Sequence, residues 1–512
     1  MIRNISRSLT DLLGASYMEA VKNSAVELLG MDRAVADALA EEKVDFFPET
    51  FAARCDALAS KVGQQIVPAM AAEQEGAPTE SFRKATNVAA APIGGIGCVR
   101  IGQNGKAYIA AKSEHYHIPL GHNFPGYQLI TKARQLGILN ATHNNTRGYI
   151  TRLMEQKIIM DANGIREAGD ALNAVLQSKE PKVLNRLISL ETGSLAVEAG
   201  LKMMLTRFYR LDKTQSASKY EGKTPVFLVM EDNDGGLEAN YHGTTVLAQT
   251  LRGMWPQFRA RCEQAGIYKV VGVKRNDAVD FAEKIKHYNT GEFKTAGFFH
   301  EIILMNYGGI RLTPEYLQAA YALCAEYDTP VLCDEIQSCM WYEGMFLFRQ
   351  YGLHPDFVII GKGFPGGEYP ASKVITTYEM DTLNQFGALV TNGQEELASL
   401  AYLITMEFVR ENGKAVSAMG SKIQKALEDL AAQYPERITC FEGLGHMGAL
   451  HCASVDIAKK IGQAVNGECV DVSAQLYKAN CPPAILIKLP LIASDTVLAL
   501  VVDRIGEAVR NL

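Results

Sequence analysis

Hydrophobic and polar positions along the chain fall into distinct textures. Up to about residue 90 the apolar residues recur at helical spacing, in the alanine-rich stretch Ala34–Glu42 and again across Phe51–Val67. Little there reads as a strand, and Glu73–Pro78 is a polar break carrying Gly and Pro. From Ile93 the pattern changes. Gly94–Ile101 and Ala107–Ile109 flank Asn104-Gly105, which predicts a β-hairpin with a type I′ turn. Leu120-Gly121-His122-Asn123-Phe124-Pro125 follows as a loop ahead of a helix.

Between Val183 and Ile360 short apolar runs alternate with helical stretches. The runs include Val226–Met230, Val270–Val273, Gly297–Leu304 and Pro330–Cys333; the helices between them include Leu247–Arg259, Ala278–His287 and Pro314–Tyr327. That alternation predicts βαβ units around a mostly parallel sheet, an α/β fold. A densely apolar helix is expected from Glu395 to about Glu411. The tail from Arg437 to Leu512 reads as short strands closed by a helix at Asp495–Val509. The expected organisation is a helical N-terminal extension (1–92), the N-terminal part of a small domain (93–125), a large cofactor-binding domain (126–400) and a smaller C-terminal α/β domain (401–512).

Composition narrows the function classes. A chain of 512 residues exceeds one simple core, and a hydrophobic fraction of 47% with mean hydropathy −0.04 is that of a globular protein in water. A net charge of −6 and a pI near 6.0 give no basic surplus, which argues against nucleic acid as a partner. No run approaches the roughly 18 unbroken apolar residues of a membrane span. The mildly basic start soon meets Asp11 and Glu19 with no apolar core behind it, which argues against a targeting peptide and for the cytoplasm. The ten cysteines form no CxxC pair, and Cys333 and Cys339 have no histidine close by in sequence. They read as reduced thiols, with no metal site.

Four stretches carry candidate chemistry. Glu191-Thr192-Gly193-Ser194 leads straight into a helix, where free backbone N–H groups and the positive helix end suit an anion; a plain N-cap explains the same residues. Asn240-Tyr241-His242-Gly243 sits at a loop-to-helix junction, where Tyr241 can stack on a flat ring or simply start a helix. Two apolar runs end in Asp334-Glu335-Ile336-Gln337 and in Gly361-Lys362-Gly363, at the strand ends where α/β sheets bind ligands. An acid and a lysine so placed suit pyridoxal phosphate: Asp334 would keep the ring nitrogen protonated and Lys362 would form the Schiff base. Gly361, Gly363, Gly366 and Gly367 are expected to clear space for that ligand. In Val390-Thr391-Asn392-Gly393, Thr391 is either a phosphate contact or a helix cap.

Together and in this order these stretches resemble the class III (ω-amino acid type) aminotransferases of pyridoxal phosphate fold type I. Thr192-Gly193-Ser194…Glu198-Ala199 is similar to that family's phosphate cup, Tyr241-His242-Gly243 to its ring-stacking loop, and Asp334-Glu335-Ile336-Gln337 to its strand-end acid. Lys362-Gly363…Gly366-Gly367…Tyr369-Pro370 and Thr391-Asn392-Gly393…Leu397-Ala398 resemble its later signatures. Leu120-Gly121-His122 and Leu489-Pro490-Leu491 match weaker landmarks, so the likeness covers roughly Ile93 to the C-terminus. It implies pyridoxal 5′-phosphate as cofactor, Lys362 as its aldimine lysine and Asp334 as partner of the ring nitrogen. It further implies Gln337 at the 3-hydroxyl, Tyr241 with His242 in the stacking loop, and Gly193, Ser194 and the neighbouring subunit's Thr391 on the phosphate. A homodimer acting on a small-molecule amino donor and a keto acceptor is the corresponding expectation.

The departures concern the substrate. Family members that use 2-oxoglutarate often carry a second Glu in Glu-Pro-Ile-Gln-Gly-Glu-Gly-Gly, paired with an Arg in Arg-Gly-x-Gly. Here Glu301 is kept, the second acid falls on Asn306 or Tyr307, and Glu442 stands in place of the Arg. A guanidinium there receives a keto acid's carboxylate bidentately, whereas a carboxylate repels it. Cys339-Met340-Trp341-Tyr342-Glu343-Gly344 replaces a glycine-rich segment, and Thr244 stands for an arginine. Arg311 is the one candidate for a replacement receptor, with a surface arginine as the plainer reading. The expected function is amino transfer through Lys362; the alternative is a racemase, epimerase, aminomutase or lyase on the same scaffold.

Overall fold

In the computed structural model, residues 1, 72–73, 112–116, 144, 392, 477 and 479–480 lie outside the described set. Glu73 of the polar break and Asn392 of the Thr391 stretch are among them. The centre is a seven-stranded sheet made, in chain order, of β1 (Leu184–Leu190), β2 (Thr224–Met230), β3 (Lys269–Val273), β4 (Phe293–His300), β5 (Val331–Asp334), β6 (Phe357–Ile360) and β7 (Ser372–Thr377). Their spatial order is β1-β7-β6-β5-β4-β2-β3. β7 alone runs against its neighbours β6 and β1, and the rest are parallel. Every residue of β5 and β6 is buried, as near-continuous apolar strands are when helices cover both faces of a parallel sheet.

Helix α1 (Gly193–Leu205) starts directly after β1 and packs on β6 and β7. Helix α2 (Glu396–Gln433) is far longer than its apolar start predicts. It continues past Glu411 because its second half supplies good helix formers on the wet side and Val416, Ile423, Leu427 and Leu430 on the dry side. It runs from the central sheet to the C-terminal one without a break.

That second sheet is antiparallel: β8 (Ile438–Leu444), β9 (Met447–Cys452), β10 (Ser473–Gln475) and β11 (Ala484–Ile487), in the order β8-β9-β11-β10. The strands Pro92–Ile96, Val99–Gly102 and Ala107–Ala110 form a third sheet, which Val470–Asp471 of the C-terminal region joins.

Several local readings need correction. The hairpin at Asn104-Gly105 is present, but only Gly105 has a positive φ (76°), and its N–H bonds to the Gly102 carbonyl at 2.8 Å. That is a type I turn followed by a left-handed glycine, because Asn104 stays at negative φ. Leu247–Arg259 is two helices, Val246–Thr250 and Pro256–Gln264, since Trp255 takes φ 53° ahead of Pro256. Phe51–Val67 is helical only within Glu49–Ala59; beyond it Val62 bridges to Ala107 and Gly63 turns at φ 86°.

The helix Tyr149–Asn163 has no side-chain cap of its own at Gly148. The buried carboxylate of Glu396, in the first turn of α2, supplies one: it accepts from Ile150 N at 2.8 Å, Thr151 N at 3.1 Å and Thr151 Oγ1 at 2.6 Å. An anion at a helix N-terminus with three donors is favourable only while all three bonds hold. Glu396→Ala is therefore predicted to lower unfolding stability by about 3 kcal/mol, measured by denaturant titration; a change near zero would show that the carboxylate does not carry this helix start.

Candidate active site

The carboxyl ends of the parallel strands converge on one place. β1 delivers Thr192-Gly193-Ser194, β4 delivers Glu301, β5 ends in Asp334, and β6 is followed by Gly361-Lys362. Register makes the neighbours explicit: Cys333 pairs with His300 and Asp334 with Ile359, so Glu301, Asp334 and Lys362 leave adjacent strands side by side.

Asp334 is buried and held from two directions. His242 Nδ1 lies 3.0 Å from its Oδ2, and Ile336 N donates to its Oδ1 at 3.1 Å. The loop carrying Tyr241 and His242 can come so close because Gly243 takes φ 126°; a Cβ there would sit 2.7 Å from Ser194 Cα. Thr244 N then donates to Ser194 Oγ at 3.0 Å. A Cβ on Gly193 would come 2.9 Å from Ile336 Cδ1, so the start of α1 also presses against the strand-end loop after Asp334. Three motifs far apart in sequence thus form one contact set. Thr192 caps α1 by accepting from Leu195 N, and the amides of Gly193 and Ser194 precede the first intrahelical acceptors.

Tyr241 is half-buried, with the Arg252 guanidinium 5.0 Å from its ring centroid on one face. Lys362 takes φ 48°, a left-handed turn forced on a residue with a side chain. The glycines around it also let protein atoms approach closely. Side chains at Gly361 and Gly363 would strike Ile336 and Pro119, and one at Gly366 would overlap Tyr127. Thr391 is exposed ahead of α2, and Gly393 packs on the Ser189 carbonyl. Among the described residues no hydrogen bond joins Thr391 to Gly193 or Ser194.

Sequence reasoning noticed Glu301 only as a retained motif residue. It is fully buried, and neither carboxyl oxygen has a hydrogen-bond partner among the described residues. Burial first, then the Asp334 charge, raise its pKa well above the usual carboxyl range against the pull of Lys362, Lys478 and Lys488. Glu335 was missed altogether. It accepts from Ser338 Oγ at 3.1 Å, Leu347 N at 3.0 Å and Phe348 N at 2.6 Å, and burial pushes it up to about 7. It thereby ties down both ends of the 338–348 segment.

That segment is the rebuilt wall. Tyr342 is buried and its hydroxyl donates to the Leu444 carbonyl at 2.9 Å. Trp341 lies between His446 (ring centroids 5.8 Å) and the Lys488 ammonium, 4.4 Å from its ring. Lys488 Nζ also donates to the carbonyl oxygen of Gln337 at 2.8 Å. Where the family places its second acid, Tyr307 is fully buried, with Arg275 and Lys478 at 5.1 and 5.6 Å from its ring. Arg311 is engaged: its Nε donates to Tyr351 Oη at 2.7 Å, and the guanidinium lies over that ring.

These residues fit a flat, phosphate-bearing pyridine. An acceptor-only carboxylate is held at a strand end, an aromatic ring and a lysine lie near it, and helix-start amides stand where an anion needs donors.

Comparison with known proteins agrees. The model of the family described as Aminotransferase class-III matches residues 83–509. The chain is 26% identical over 341 residues to the ornithine aminotransferase of Emericella nidulans, covering 64% of this chain and 70% of that one. It is 33% identical over 150 residues to the putrescine aminotransferase of Pectobacterium atrosepticum, 28% of this chain and 32% of that one. The fold is that of the ornithine aminotransferase from Toxoplasma gondii ME49 (TM-score 0.66, 18% identity, 86% of this chain and 96% of that one). It is equally that of the PMP-bound aminotransferase from Vibrio fluvialis (TM-score 0.66, 17% identity, 86% and 96%). With a family match running through the strand ends, the stacking loop and the C-terminal sheet, this chain belongs to the class III aminotransferases, enzymes dependent on pyridoxal phosphate.

Proposed function

We propose that this aminotransferase holds its pyridoxal 5′-phosphate through Lys362 and Asp334 and moves an amino group between an amine or amino acid and a keto acid. The carrying observation is the Asp334 carboxylate, fixed by His242 at the end of β5, beside the strand that delivers Lys362. When bound, the cofactor supplies an electron sink for the bond electrons released at the substrate's Cα. Asp334, oriented by His242, would hold a proton at the ring nitrogen. The N–H groups of Gly193 and Ser194 would hold the phosphate, Tyr241 would cover a ring face and Gln337 would meet the 3-oxygen. Lys362 would be the amine that binds the cofactor and would move the proton at the substrate Cα.

Among the described residues no hydrogen bond joins Thr391 to Gly193 or Ser194, which is in keeping with a homodimer in which the second copy supplies it. The free state of all ten cysteines supports a cytoplasmic setting, and no helix among the described residues is long and apolar enough to cross a membrane. With Glu442 in place of the family's arginine and Arg311 tied to Tyr351, the site is poorly built for 2-oxoglutarate.

Purified protein should show a visible absorbance band that borohydride fixes covalently to Lys362; no band after added pyridoxal phosphate would sink this reading. Lys362→Ala should abolish turnover and Asp334→Asn should lower kcat about 100-fold or more, both with the fold retained by circular dichroism. Candidate amines given without a keto acid should convert the band fully to the amine form. Turnover with the band retained would favour the racemase, aminomutase or lyase chemistry instead. In the second half-reaction, 2-oxoglutarate should be a markedly weaker acceptor than a monocarboxylic keto acid. Sedimentation should give a mass near twice the 56.0 kDa chain, and a monomer that is fully active would remove Thr391 from the site.

A further inference from the structure

A cavity of about 670 Å³ lies apart from the strand ends, and none of the residues assigned above to the cofactor lines it. Three pieces of chain enclose it: the N-terminal helix Glu49–Ala59, the middle of α2, and the start of the last helix, Asp495–Arg510. A volume of this order holds a small organic ligand, and such ligands meet a mostly apolar lining with a few polar groups. Phe47, Ala52, Met419, Ile492 and Val497 supply the apolar part here. The lining thiols Cys55 and Cys98 are neutral, since burial pushes Cys55 up to about 11 and raises Cys98 as well.

The charges around the cavity do not balance. Two cations line it, and each has a carboxylate: Lys422 Nζ meets Asp495 at 2.7 and 2.8 Å, and Arg3 is drawn to Glu411, outside the lining. Asp56 and Glu49 also line it, and neither forms an ion pair among the described residues. Asp56 Oδ1 accepts from Ser494 Oγ at 2.5 Å, a neutral donor that leaves the charge in place. Glu49, Ala52 and Asp56 are spaced i, i+3, i+7, so they share one helix face, apolar in the middle and anionic at both ends.

We propose that this cavity binds organic amines, with the apolar body against Phe47, Met419 and Ile492 and the ammonium on Asp56. The half-buried Asp56 makes the direct contact, and the exposed Glu49 adds its charge from the far end of the same helix face. A carboxylate without a counter-ion, set beside apolar surface, is the arrangement that an apolar ammonium completes. The ligand gains a charge-assisted hydrogen bond while its body leaves water. An anion of the same size meets like charge there and is rejected. The cavity is thus a second place for an amine, one that holds it without converting it, because no cofactor residue reaches it.

The inference stands apart from the assignment of Lys362, and its test uses a probe that cannot react there. N,N-dimethylbenzylamine has a tertiary nitrogen, which forms no Schiff base. Calorimetry on the full-length holoenzyme should show it binding, and benzyl alcohol, an uncharged near-match, should bind at least about tenfold more weakly. Asp56→Asn keeps an acceptor for Ser494 Oγ and removes the charge, so it should weaken binding of the amine about tenfold. Ala418→Trp adds bulk to the lining from α2 and should abolish binding. Both variants should keep the visible absorbance band of the wild type. Absence of binding at about 10 mM amine would overturn the proposal, as would equal affinity for benzyl alcohol. Undiminished binding in Asp56→Asn or in Ala418→Trp would place the amine elsewhere and overturn it as well. Should Asp56→Asn not fold, Asp56→Ser gives the same reading; failure of both to fold would assign Asp56 to the last helix's start and count against the proposal.

Discussion

The hydrogen bond between His242 and Asp334 is the contact on which the arrangement of the site depends. A carboxylate at the end of a buried strand is costly unless something fixes and partly neutralises it. His242 does so from a loop that can only arrive because Gly243 carries no side chain against Ser194. The same approach seats Thr244 on Ser194 and so fastens the stacking loop to the first turn of α1. One close backbone contact therefore sets three things at once: the orientation of the acid, the place of Tyr241, and the exposure of the helix-start amides. Remove the glycine and each would move with the loop.

Around that fixed acid the charges are graded by burial. Glu301, one strand over, is pressed toward its neutral form by burial and by Asp334 itself. The hydrogen bonds fall unequally on the two carboxyls: Asp334 is bonded to His242 and Ile336 N, while neither oxygen of Glu301 has a partner among the described residues. The cationic side shows the same logic. Lys478 rests on the backbone carbonyls of Glu238 and Asn306, and burial pulls its pKa down to about 8. Lys488 rests on Gln337 and Trp341. Each contacts uncharged oxygens and an aromatic ring.

What the sequence made legible follows from distance along the chain. Asp334 follows the apolar run Val331–Cys333 and Lys362 stands just beyond Phe357–Ile360, and such runs are visible without any partner. The mostly parallel direction followed from the alternation of such runs with helices, while the strand order did not. The contacts that complete the site were not legible, because they join residues that no periodicity links: His242 to Asp334, and Lys488 to Gln337 between the C-terminal and central sheets. Glycines are ambiguous for a related reason. A glycine marks a close approach, but the sequence does not say what approaches; among protein atoms around Lys362 it is Ile336, Pro119 and Tyr127. Helix limits failed where a local strain decided them, as at Trp255-Pro256.

The 338–348 segment is built separately from the strand-end residues His242, Asp334 and Lys362. Glu335 lies next to Asp334 in sequence yet points the other way, taking the amides of Leu347 and Phe348 and the hydroxyl of Ser338. It fixes the base of the 338–348 segment independently of the acid that serves the cofactor. Trp341 and Tyr342 then fill the space above it, and both are secured from the C-terminal part of the chain, Trp341 by Lys488 and His446 and Tyr342 by the Leu444 carbonyl. Bulk at these positions is thus paid for by the C-terminal sheet and not by β5 or β6. Substitutions in the wall can alter which amine fits while leaving His242, Asp334 and Lys362 in register. Gln337 belongs to both sets: it follows Asp334 by three residues, and Lys488 meets both its backbone carbonyl and its side-chain oxygen.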